Sequence, residues 1–192
     1  MNRLPLTIIW QKIIFDPLSY IHPQRLQIAS EMIARPAARA AANELILAAL
    51  RLKIEKEEII GNSLTQLWLR QWHRLPQIAY LLGCHTFRAD LARQGVLLSL
   101  PDWAQAFLAM NQGTSLSVCN KAPNHRFLLG VGYAQLSALN NGLPESLAQR
   151  FPLLFPPFIE DAAKQDAVEM SILLLALQHA QKYPNPVPAF AC

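Results

Sequence analysis

The stretch Ser63-Leu64-Thr65-Gln66-Leu67-Trp68-Leu69-Arg70-Gln71-Trp72-His73-Arg74-Leu75-Pro76 decides the fold class. Leu64, Trp68, Trp72 and Leu75 recur at the spacing of one helix stripe, not at the alternation of a strand. Ser63-x-x-Gln66 has the form of a capping box, in which the serine accepts from the amide three residues on and the glutamine reaches back. Gly61-Asn62 closes whatever helix precedes it, and Pro76 is expected to start the next helix or kink this one. Arg70 and Arg74 lie one turn apart on a second face. Trp and Arg dominate interface hot spots, so Arg70, Trp72 and Arg74 form the partner-contact surface that the sequence offers. The competing expectation for a tryptophan stripe at this spacing is the core.

Upstream, prolines at 5, 17, 23 and 36 rule out one continuous helix over residues 1–36. A short helix over Ile8–Phe15 is expected, and the β-branched Ile8, Ile9, Ile13 and Ile14 make a strand the competitor. Pro36 suits a first helical position. Beyond it Ala41, Leu45, Ala48 and Leu52 share one helix face, and the sign-alternating Lys53–Glu58 run is expected to continue that helix with a solvated surface.

Downstream, Ile78–Leu98 reads as helix punctuated by Gly83 and Gly95. Ser99 is the candidate cap of a helix carrying the stripe Trp103, Phe107 and Met110, with Gly113 as its end. Thr114–Val118 is a short strand or an extended link. Arg126–Asn140 is helical, and Leu143-Pro144-Glu145 opens another helix. Phe151–Phe158, with Pro152, Pro156 and Pro157, is a rigid apolar connector. The last helix, from Ile159 or Asp166 to Lys182, is apolar nearly all round between Met170 and Leu177. It is therefore expected to be buried centrally, so that an aspartate at Leu174 would unfold the protein. The fold expected is mainly α: a single irregular helical domain of about seven to nine helices at ordinary helix lengths, with at most a minor short β element. Its expected parts are an irregular segment over 1–36 packed on the core, a helical core over 37–183, and an extended tail over 184–192.

Of the 192 residues 52% are hydrophobic and only 16% charged, against about 25% charged in average soluble chains. So few charges suggest a surface partly meant to be covered. The net charge is +4 and the pI near 9.2, but the positive residues are scattered and no stacking aromatics interleave with them, which argues against nucleic acid as a partner. No run approaches the roughly 20 apolar residues that span a bilayer, so no membrane insertion is expected. Cys84, Cys119 and Cys192 are too sparse and odd in number for a disulfide framework, which favours a reducing, cytosolic compartment.

Each chemical motif has a plainer alternative. Cys84-His85 fall about 100° apart on a helix, and neither Cys119 nor His125 belongs to a paired metal-ligand spacing, so no metal site is expected. Cys119, His125 and Asp102 make a triad only by free choice, with no strand–nucleophile–helix elbow around any serine. Gly130-Val131-Gly132 sits in a helical pattern and lacks the third glycine and Lys-Ser/Thr of phosphate loops. Close helix packing explains it better. The acidic pairs Glu57-Glu58 and Glu160-Asp161 read as solvated charges near helix starts. No catalytic residue, cofactor or enzyme activity is expected.

Several stretches resemble one known family. They are Ile13-Ile14-Phe15-Asp16-Pro17-Leu18-Ser19-Tyr20-Ile21-His22-Pro23, Leu81-Leu82-Gly83-Cys84-His85, Arg88-Ala89-Asp90-Leu91-Ala92-Arg93-Gln94-Gly95, Leu100-Pro101-Asp102-Trp103-Ala104-Gln105-Ala106-Phe107-Leu108-Ala109-Met110 and Asn120-Lys121-Ala122-Pro123-Asn124-His125-Arg126-Phe127-Leu128-Leu129. They are similar to the SctK family of type III secretion sorting-platform adaptors, and the resemblance covers nearly the whole chain. It implies a cytoplasmic protein beneath the injectisome, with the pod protein (SctQ family) and the cytosolic domain of the inner-membrane ring protein (SctD family) as partners. The SctL stator and the ATPase would be reached indirectly. The resemblance carries no catalytic motif. The alternative function is a secretion chaperone that binds effectors. Such chaperones are usually smaller and acidic, unlike this chain.

Overall fold

The computed structural model describes residues 5–26, 28, 34–54, 62–110, 123–163 and 165–188. Every regular element among them is helical, and the fold is all-α. Thr114–Val118, Gly113, Cys119 and Cys192 lie outside the described residues. The chain divides into two compact units, each built from two separated pieces of sequence: Met1–His73 with Asn140–Glu160, and Arg74–Leu139 with Asp161–Cys192.

In the first unit, α1 (Leu6–Phe15) is a helix despite its isoleucines. Trp10, Ile13 and Ile14 at i, i+3 and i+4 are buried, and a helix is the conformation that puts all three on one face. α2 spans Pro36–Ala49 with proline in its first turn. It does not run on through the charged segment. Arg51, with φ 49°, sits in the left-handed region, and Leu52 N–H donates to Leu47 O at 3.0 Å, a Schellman-type stop. Lys53 and Ile54 are already out of the helix; residues 55–58, the rest of the charged run, lie outside the described residues.

α3 (Ser63–Gln71) is capped by Asn62, whose side chain accepts from Leu64 N–H at 2.9 Å. The cap expected at Ser63 is therefore Asn62, one residue earlier, with Ser63 inside the helix. Asparagine caps as well as serine does, and the Asn62 amide also donates to Gly142 O at 3.0 Å. α8 (Glu145–Arg150) leads into the turn Phe151–Leu154. Phe151 meets Trp68 edge-to-face at 4.9 Å and Phe155 at 5.1 Å, a geometry favourable to aromatic quadrupoles.

Arg150 is buried at the centre of this unit. Its guanidinium donates to the carbonyls of Ile14 (3.0 Å), Lys53 (2.7 Å) and Ser146 (2.8 Å). The Ile14 carbonyl belongs to the last turn of α1, where carbonyls lack helical partners and a cation is favoured.

The second unit is organised around α4 (Leu75–Thr86), buried continuously from Gln77 to Cys84. It crosses α7 (His125–Ser137) with backbones in contact at two points. A Cβ built on Gly83 would overlap the carbonyl of Leu128, and one on Gly132 would overlap that of Ala79. Gly132 thus serves the close packing expected of it, whereas Gly130 faces only an ordinary neighbour, Ala162. Gly83, expected to interrupt a helix, is the reason two helices can touch. α5 (Arg88–Arg93) follows, and Gly95 at φ 70° turns the chain into a tight coil over Val96–Ser99.

α6 (Asp102–Met110) buries Ala104, Phe107 and Leu108, while Met110 is exposed. Ser99 does not cap it: its hydroxyl donates to Val96 O. α9 covers Met170–Lys182 only. Pro157–Asp161 forms a separate 3-10 turn, and residues 162–163 and 165–169 are not helical, for they are largely exposed and offer little apolar area to offset the cost of ordering. The expectation that α9 is buried all round is corrected too. Leu173, Ala176 and Leu177 are buried, but Leu174 is 45% exposed. After α9 the buried Gln77 holds the chain by donating to Tyr183 O (2.7 Å) and accepting from Asn185 N–H (3.2 Å).

Candidate functional site

Of the residues that could carry chemistry, Cys84 and His125 are engaged in packing, and Asp102 is exposed. Cys84 is fully buried, and burial pushes its thiol up to about 12, with a hydrogen bond to Tyr80 opposing. A thiol so poorly ionised at neutral pH is a weak nucleophile. Burial and the nearby Arg88 lower the pKa of His85. His125 Nδ1 lies 2.6 Å from the Tyr80 hydroxyl. Among the described residues no cluster of His, Cys, Asp or Glu could hold a metal ion. Cys119, which the triad with His125 and Asp102 would need, lies outside the described residues. Glu160 is paired with Arg25 at 2.7 Å.

The contact surface expected at Arg70, Trp72 and Arg74 needs a correction at its middle member. Arg70 is exposed on α3. Trp72 is only 1% exposed, its indole edge-on to Tyr20 at 5.6 Å. A buried indole cannot anchor a partner, so the core alternative holds for Trp72. Arg74, in the second unit, is half-buried.

A feature that the sequence did not reveal lies in the first unit. α2 carries its apolar stripe outward. Its buried positions are Asn43 and Ile46, and polar contacts anchor that side: Arg39 Nη2 donates to both Asp16 oxygens at 2.9 Å, and Asn43 Nδ2 donates to Asp16 Oδ1 at 2.8 Å. The Asn43 carbonyl oxygen accepts from Leu18 N–H at 3.0 Å. This network fixes the rotation of α2 and leaves Leu45 70% exposed. Ala38, Ala42, Leu45 and Ala49 then form one wall of an open groove of about 930 Å³. Ile21, Leu26 and Ile28 line it elsewhere, with Leu153 and Pro157. Polar groups at the groove are few: Gln24 and the Arg25–Glu160 pair. Arg25 is held by its Nε–H donating to Phe155 O at 2.6 Å. An apolar concavity with a few oriented polar groups is the usual form of a binding site.

No helix among the described residues is long and apolar enough to cross a membrane. No solved structure matches the chain. A sequence profile described as "Bacterial type III secretion apparatus protein (OrgA_MxiK)" matches residues 10–182. The chain is 86% identical, over all of its 192 residues and 96% of the relative, to "Oxygen-regulated invasion protein OrgA" of Salmonella typhimurium (strain LT2). It is 34% identical to "Protein MxiK" of Shigella flexneri over 76 residues, 40% of this chain and 42% of the relative. "Putative uncharacterized protein YgeO" of Escherichia coli (strain K12) is 25% identical over 130 residues, 65% of this chain and 90% of that protein. A profile match over nearly the whole length and a relative this similar establish that the chain belongs to the OrgA/MxiK family of bacterial type III secretion apparatus proteins.

Proposed function

We propose that this chain is a cytoplasmic adaptor of the sorting platform, peripheral to the inner-membrane base of the secretion apparatus. In this reading it joins the cytosolic domain of the ring protein (SctD family) to the pod protein (SctQ family), and through SctL it is coupled to the ATPase. Its loss would stop substrate secretion and, with it, host-cell invasion. The observation that carries the reading is 86% identity over the full chain to an invasion protein of the same apparatus family. An exposed apolar groove and a chain with only 16% charged residues are what a protein working by docking needs.

The test is capture of purified pod protein and purified ring domain by the folded chain. Capture of neither ends the adaptor reading. Stoichiometric co-purification with an exported substrate, without pods, would move the protein to the chaperone class. Arg70 and Arg74 are proposed to meet acidic partner surface. Arg70→Glu with Arg74→Glu should weaken binding about tenfold, as charge reversal at an interface does, without unfolding the monomer. Unaltered affinity would remove both arginines from the interface.

A further inference from the structure

We propose that the groove along α2 seats one amphipathic α-helix of a partner protein, about three turns long and acidic toward its ends. The inference rests on the adaptor reading and names the occupant of its surface.

The shape of the wall selects a helix. From Ala38 to Leu50 the lining positions repeat at three- and four-residue intervals, over about 18 Å of helix. Ridges at that spacing accept the ridges of another helix, and alanines allow the axes to come within about 8–10 Å. An extended peptide would need a sheet edge to extend, and no strand exists among the described residues.

The charges select the sign. Arg35, at the N-cap of α2, lies three residues before Ala38, at the head of the same stripe, and is exposed. Arg51 is exposed immediately after Leu50, at the other end. Neither makes an ion pair among the described residues, whereas Arg39 is matched by Asp16 and Arg25 by Glu160. Glu44, exposed on α2, is the opposing charge, and it is not among the lining residues. α2 also has no acidic residue in its first turn and no side-chain cap, so the positive end of its dipole adds to Arg35. A helix with carboxylates near both ends complements this pattern. Its apolar face would cover Leu45, a large apolar side chain left 70% exposed.

The experiment uses the full chain with purified pod protein and purified ring domain. Leu45→Arg and Ala41→Arg alter exposed positions, so the melting temperature should hold; Leu45→Ala serves as a milder second variant. Affinity for one of the two partners should fall at least about tenfold with either arginine, as for a hot-spot loss. Arg35→Glu with Arg51→Glu should cost about three- to tenfold, and the difference should shrink as salt rises. A photo-crosslinker at residue 45 should capture a helix-forming, acidic segment of that partner. If the wild-type chain binds and the groove variants bind equally well, the groove inference falls while the adaptor reading stands. A crosslink only to a second copy, to its own chain or to lipid also overturns it. If the wild-type chain binds neither protein, the adaptor reading itself fails.

Discussion

α4 with α7, and α2 with its groove, are two uses of small residues on a helix. Where α4 crosses α7, Gly83 and Gly132 are each filled by the backbone of the other helix, and nothing more can enter. Along α2 the alanines face an open groove, and the helix is held instead by Arg39, Asn43 and the buried Ile46 on the adjoining flank. Small residues permit close approach in both places. In one the approaching helix is part of the chain. In the other, no helix among the described residues fills the space along the alanines. Rotation about the helix axis decides between the two, and polar partners set that rotation as firmly as apolar ones do.

The comparison can be broken by enlarging side chains on each side of it. Gly83→Ala and Gly132→Ala should each destabilise by about 3 kcal/mol or more, through overpacking against a carbonyl. This outweighs the roughly 1 kcal/mol that alanine gains over glycine in a helix. Urea denaturation of the full chain reads the loss, and a stabilised variant would refute the backbone contact. Arg150→Met tests polar anchoring within the first unit. It removes the donor from three carbonyls and should cost about 3 kcal/mol, given about 1–3 kcal/mol for each buried group left unpaired. Leu177→Asp should lower the melting temperature sharply, whereas Leu174→Asp, three residues earlier on α9, should change stability by less than about 1 kcal/mol, as exposed positions do. Equal effects in the two would deny that α9 has an outer face. Ala41→Leu on α2 should shift stability by no more than about 0.5 kcal/mol. A large loss there would mean that the groove wall is already covered.

The same contrast explains what could be read from the sequence. The helices announced themselves through periodicity: of the stripe Leu64, Trp68, Trp72 and Leu75, the last three are buried and Leu64 is half-buried. Gly132 was legible as a packing residue because a glycine inside a helix needs a reason. The stripe Ala41, Leu45 and Ala48 was also found, but periodicity gives a face and not its direction. What turns it outward is Asp16, far away in sequence, which satisfies Arg39 and Asn43 at once. The groove was invisible for a related reason: its walls come from residues 21–28, 38–50 and 153–160. Trp72 was misread because the arginines beside it in sequence suggested a surface, while its own side chain points to Tyr20. Leu174 was misread because a run of six apolar residues hides which of them face solvent.

The position of Arg150 has a consequence for how the chain is made. Residues 1–73 emerge from the ribosome well before Asn140–Glu160, the piece that completes their unit. At translation rates of about 5–20 residues per second, the wait lasts on the order of several seconds. Throughout it Trp68 lacks Phe151, and the carbonyls of Ile14 and Lys53 lack their guanidinium. The nascent chain therefore spends that interval with Trp68 short of its aromatic partner, a natural substrate for holding chaperones. A product cut short before residue 150 should precipitate rather than persist as a smaller folded protein.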